Sequence, residues 1–222
     1  MSNVIISQLI RSNRRSISLE VDASAKLIVK APFFMPMGLI NRFVTEKQGW
    51  IVKQIEKRSK HPKIKKQYID GEEFLFLGNV YKLTIGNHKE IAFSDKGELH
   101  FPRGLTFRIQ KELERFYIKQ AKEIIIIRVE YHAKLMNLNY NSILFSDTRS
   151  KWGTCTSKNC LQFNWRLILA PLIVVDYVIV HELTHIKEKN HSRKFWSIVG
   201  SYKPAYRQHR KWLNENAHKL VI

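Results

Sequence analysis

The chain is short of cysteine, of acidic residues and of long apolar stretches, and each shortage removes a class of protein. Two cysteines, Cys155 and Cys160, are too few for a disulfide framework or for two zinc-binding cysteine couples. They are expected as free thiols of a reducing compartment. The N-terminal "MSNVIISQLIRSNRR" lacks the basic lead, apolar run and small-residue cleavage site of an export signal, so a cytoplasmic location is expected. The runs "EIIIIRV" and "LILAPLIVVDYVIV" are too short or too interrupted to cross a bilayer. No Gly-rich phosphate loop, internal repeat or low-complexity segment occurs. Acidic residues number 19 against 38 Lys and Arg, a net charge of +19. The excess runs through both halves and is densest at residues 53–66 and 207–211. Such a field attracts nucleic acid, nucleotides, acidic proteins or anionic surfaces, and it also serves plain solubility.

What is present is ample core material, 44% hydrophobic over 222 residues. The first part alternates with period two: Ser16 to Val21 and Lys26 to Ala31 form a predicted hairpin around "DASA". Helical spacing follows from Pro36 to the basic stretch. "EEFLFLGNVYKLTIG" predicts a hairpin turning at Gly78-Asn79, and "IAFSDKGELHFP" a second one around Asp95-Lys96-Gly97. Residues 1–104 therefore read as a β-rich region with one helix. Leu105 to about Met136 is one long helical pattern without Gly or Pro, ended by "NLNYN". "SILFSD" and "CLQFNWRLIL" read as strands. "PLIVVDYVIVHELTHIKEK" reads as a central buried helix, and two more helices follow, separated at Lys203-Pro204.

The buried helix carries "HELTHIKEKNH", residues 181–191. Side chains four apart on a helix differ by about 40° and about 6 Å, so His181 and His185 share a face as two ligands of one metal must. Glu182 is placed to reach the metal's water without joining the ligands. Zinc lowers the pKa of that water toward about 7, and a carboxylate can then take its proton and pass it to a leaving group. In a straight helix His191 would lie about 15 Å beyond His181 and some 80° off its face. It can share the metal only if the helix stops. Asn190, which tolerates the left-handed conformation, is the expected stop, with Ser192 capping the next helix. The expected site is one Zn2+ on His181, His185 and His191 with an open fourth position; nickel or manganese also suits three imidazoles. A chance occurrence of the full pattern is under about one in a thousand.

Residues 150–196 resemble the YgjP-like metallopeptidase-type family, which is related to SprT-like and minimal gluzincin-like zinc proteins. "KWGTC", "FNWRL" and "HELTHIKEKNH" carry the resemblance. It implies three-histidine zinc binding by His181, His185 and His191 with Glu182 as the base. Lys151 and Thr154 stand where arginine and serine are common in the family. The metzincin pattern fits less well, because Glu188 occupies its glycine position and no methionine turn follows. The expected fold is α+β, with the β-rich region packed on a zincin-like core of helices and a small sheet at residues 105–222.

Arg149, Lys151, Asn164 and Arg166 are candidate substrate-binding residues on the strand-loop-strand unit before the metal helix, where an edge strand can align a substrate and a donor can stabilise an oxyanion. The competing reading of Asn164, Trp152 and Trp165 is structural, as packing and turn hydrogen bonds. Tyr202 and His209 are candidate transition-state donors. The leading function is peptide hydrolysis. The alternatives are hydrolysis of a nucleoside triphosphate drawn by the basic field, and a nucleic-acid-associated zinc protein.

Overall fold

A computed structural model describes residues 5–22, 24–60, 64–148 and 151–222, with the side chains of 57–60 left aside. The chain divides into two compact units, Met1–Ile64 and Lys65–Ile222. A change at 104/105 was expected from the sequence. The difference lies in the strands between 73 and 102, whose apolar side chains share one core with the helices that follow.

In the first unit, β1 (Ile6–Ser12), β2 (Ser18–Val21) and β3 (Leu27–Pro32) form a sheet of order β1-β3-β2, with β3 parallel to β1 and antiparallel to β2. The β2–β3 hairpin matches expectation; β1 is an addition. Alternate β3 residues Leu27, Val29 and Ala31 are buried with Ile40, Val44 and Ile51. The latter come from two helices, α1 (Met37–Glu46) and α2 (Gln48–Lys60), where a single one was predicted.

The second unit opens with β4 (Glu73–Phe76), β5 (Asn79–Gly86), β6 (Ala92–Phe93) and β7 (Glu98–Pro102), ordered β4-β5-β7-β6. The β4–β5 turn is formed by Leu77 and Gly78, one residue earlier than the predicted Gly78-Asn79, and both have positive φ, as a tight hairpin of this hand requires. Leu77 N–H donates to Ile168 O at 2.8 Å and Gly78 N–H to Leu169 O at 3.2 Å. A Cβ on Gly78 would lie 2.8 Å from Pro171 Cγ, so only glycine fits there.

A 3-10 turn, Arg103–Arg108, leads into α3 (Ile109–Met136). Leu113, Tyr117, Ala121, Ile125, Val129 and Ala133 form its buried stripe. Left-handed Asn137 ends it, and Leu138 N–H closes back on Ala133 O. The small sheet follows: β8 (Ser142–Ser146), β9 (Gly153–Cys155) and β10 (Cys160–Asn164), with β10 central, parallel to β8 and antiparallel to β9. "WRLIL", read as strand, is a 3-10 turn over Trp165–Leu169 capped by Asn164. Then come α4 (Leu172–Lys187), α5 (Arg193–Tyr202) and α6 (Tyr206–Asn216). The architecture is α+β. Among the described residues, no helix is long and apolar enough to cross a membrane.

Candidate metal centre

Buried residues cover almost the whole circumference of α4, from Val174 to Val180 and on through Leu183 and Thr184. A helix held on all sides offers fixed positions for side chains near its C-terminal end. Three helices are tied together at Asp176, which lies at 2.7 and 2.6 Å from the Arg128 guanidinium, 3.3 Å from His132 Nε2 and 3.0 Å from Lys203 Nζ. Burial alone would raise the pKa of this carboxyl. The donors of His132, Arg128 and Lys203 outweigh burial and hold it well below the usual carboxylate range.

Nitrogens of His181, His185 and His191 all lie within 4.8 Å of one another. The helix stops as a third ligand at His191 would demand, though by another device than predicted. Glu188 is extended, with φ −135° and ψ 106°, whereas Asn190 is absent from the residues with positive φ. Glu188 O also accepts from His185 Nδ1 at 3.1 Å. A carbonyl can only accept, so this bond places the proton on Nδ1 and leaves Nε2 with a lone pair for a metal. Ser192 caps α5 as predicted, its Oγ accepting from Phe195 N–H at 3.2 Å, and His191 sits just before it.

His181 Nε2 and His191 Nε2 are 3.0 Å apart. Two imidazole nitrogens this close need a proton or a cation between their lone pairs. Burial, then the charges of His185, His191 and Arg210, push the His181 pKa down to about 3. Burial also lowers that of His185. Three converging imidazoles, two of them disfavoured from carrying a proton by burial, are the donor set a zinc ion takes, so the residues present fit the metal. Phe195 and Trp196 support the rings, with centroids 4.9 and 5.6 Å from that of His181.

Glu182 is 5% exposed, and burial raises its carboxyl pKa to about 8, with Lys151 pulling the other way. Its side chain lies against Gly153 of β9. A Cβ there would come within 2.6–2.8 Å of Glu182 Cγ, Oε1 and Cδ. A cavity of about 270 Å³ opens beside it, lined by Lys151, Trp152, Gly153, Tyr177, His181, Glu182 and Arg210 among others. Burial pushes the Tyr177 phenol up to about 12, so it stays a proton donor at neutral pH.

The remaining candidates divide. Lys151 lines the cavity. Asn164 is occupied structurally: Nδ2 donates to Thr148 O at 2.9 Å and Oδ1 accepts from Arg166 N–H at 2.9 Å. Arg166 pairs with Asp147 and lies 4.2 Å over the Trp165 ring. Asn164, Arg166, Tyr202 and His209 are all outside the cavity lining. Buried His209 instead backs Tyr177, at 6.1 Å between ring centroids. Arg149 falls outside the described residues. Gly153, Tyr177 and Arg210 were not singled out from sequence. Tyr177 had a legible signal, since it lies four residues before His181 and so shares its face. Cys155 and Cys160 are free thiols, as expected.

Residues 15–216 match the YgjP-like family, described as a YgjP-like metallopeptidase domain, and the chain belongs to that family. Membership implies a metal cofactor and hydrolase chemistry. Among solved structures, the chain is similar to the metallopeptidase zymogen of Pyrococcus abyssi abylysin, at 13% identity and a TM-score of 0.38 over 41% of this chain and 93% of that one. It is also similar to the metallopeptidase zymogen of Methanocaldococcus jannaschii jannalysin, at 23% identity and a TM-score of 0.37 over 44% of this chain and 97% of that one. No curated protein matches the chain.

Proposed function

We propose that the protein is a zinc-dependent hydrolase of peptide bonds with Glu182 as general base and acid. The observation that carries this reading is a buried carboxyl group, Glu182, that lines one cavity with His181, whose imidazole converges with those of His185 and His191. Zinc held by His181, His185 and His191 would supply, when bound, a Lewis acid that polarises a carbonyl and acidifies water. Glu182, held in a poorly solvated position, has the proton affinity to accept a proton from water at Oε and return it to the departing amine near neutral pH. Tyr177 O–H can donate toward the oxygen on which negative charge develops. Among the described residues β9 pairs only with β10, so its other edge is free to align an extended chain beside Gly153.

Glu182→Gln should keep about one zinc per chain while peptide turnover falls at least about 100-fold, and His185→Ala and His191→Ala should lose the metal. Unchanged turnover in Glu182→Gln would end the reading of Glu182 as the base. Lys151 and Arg210 at the cavity favour one second reading, a phosphoanhydride substrate such as a nucleoside triphosphate. That reading requires hydrolysis of nucleoside triphosphates and binding that weakens steeply with salt.

A further inference from the structure

Beyond His191 the metal centre continues into a cationic, aromatic surface shared by α5 and α6. Trp196 and Tyr206 stack at 5.2 Å and 16°, and the His191 ring lies nearly parallel to Trp196 at 5.6 Å and 24°. The Arg210 guanidinium sits 5.3 Å over Trp196, and that of Arg207 sits 5.7 Å over Tyr206. Arg207, Arg210 and Lys211 follow at helical offsets of three and four, so they share one face of α6. Arg210 borders both this surface and the Glu182 cavity, and His191 borders its other end.

The charge here is unbalanced. Glu215 is the one carboxylate lining the surface, and it lies 3.8 Å from Lys211. Among the described residues, Arg193, Arg207 and Arg210 have no carboxylate partner. We propose that this surface receives acidic side chains of the substrate, so that the protein prefers peptides with Asp or Glu on one side of the cleaved bond. The proposal rests on the peptide-hydrolase reading above. Guanidinium groups held over rings are pre-oriented; Arg207 Nε donates to Tyr206 Oη at 3.3 Å, and the terminal N–H groups are left to take a carboxylate in two parallel bonds. The same stacking counts against nucleic acid. Single-stranded chains bind such surfaces by laying bases on open aromatic faces, and here the Trp196 and Tyr206 faces are taken by each other, by His191 and by the two arginines.

The test uses matched, internally quenched peptides that differ only in carrying Glu or Gln along one flank. Cleavage is followed with the zinc-loaded protein, and binding by anisotropy with Glu182→Gln. The acidic peptide should bind about tenfold or more tightly than its Gln counterpart, as charge-assisted bidentate contacts predict. Arg207→Gln/Arg210→Gln should erase that difference, with zinc content and Tm measured to establish that the variant is folded. Equal binding of the two peptides, or a preference that survives the double substitution, would overturn the proposal. So would a thymidine oligonucleotide that displaces the acidic peptide at lower concentration and needs the same arginines. Cleavage of both peptides without preference would overturn the acidic preference and leave the peptidase reading standing. Arginine-dependent binding of the acidic peptide without any cleavage would do the reverse.

Discussion

At the scale of single residues, Glu182 sits where ionisation is penalised, and the penalty can be followed with pH. Its folded pKa, about 8, lies above the ordinary 4.5, so metal-free native protein holds a proton that the unfolded chain has lost. Stability due to this group therefore falls as pH rises from about 4.5 to about 8 and is level beyond, at up to about 1.4 kcal/mol per pH unit within the window. His181 acts in the opposite sense, its contribution being lost as pH falls from 6.5 toward about 3, but it is common to both proteins when wild type is compared with Glu182→Gln. In chelator-treated samples, urea unfolding should give equal stability near pH 4 and a variant several kcal/mol more stable at pH 9. A gap that fails to widen across the window would contradict the burial argument. Gly153 is the second telling position. Gly153→Ala must push the Glu182 carboxyl aside, so turnover should fall about tenfold or more with zinc retained, read by elemental analysis beside an activity assay. His181, His185 and Glu182 were legible as candidates because helical spacing relates them, and His191 because a helix stop could bring it back toward them. Gly153 and Arg210 were not, because β9 and α6 meet α4 only through the tertiary fold.

Helices and strands show where local pattern suffices. The α4 segment is apolar all round and was readable as central. The hairpins were readable from their turns, and α3 from its uninterrupted period. The three-residue β9 was hidden inside a polar connection, being too short for alternation to register. The start of α5 has a particular duty, since its cap immediately follows His191, the third candidate ligand. Ser192→Ala removes the acceptor for Phe195 N–H, worth about 1 kcal/mol, and if that loss is passed to His191, zinc affinity drops about fivefold. Competition with a chromogenic chelator measures this. Unchanged affinity would mean that ring packing by Phe195 and Trp196, not the cap, holds His191.

For the molecule as a whole, the larger core draws all its buried residues from Phe74 to Leu220, and every residue proposed for the chemistry lies between those two positions in the sequence. The chain from Lys65 onward should therefore fold cooperatively and bind about one zinc, checked by calorimetry and elemental analysis; loss of both would show that the first unit is needed for the second. The sequence reading groups strands 73–102 with those before them because they resemble them in composition, while their packing partners are the later helices. One of those strands' turns also limits how the chain can change in length. With Gly78 lodged against Pro171 and both turn amides bonded to the segment that launches α4, an insertion at 77–78 would be transmitted along the helix to its histidines. Added residues at 89–90, exposed beyond the end of β5, meet no such stop. Family members that differ in length should therefore differ there, while the hairpin tip keeps its two residues.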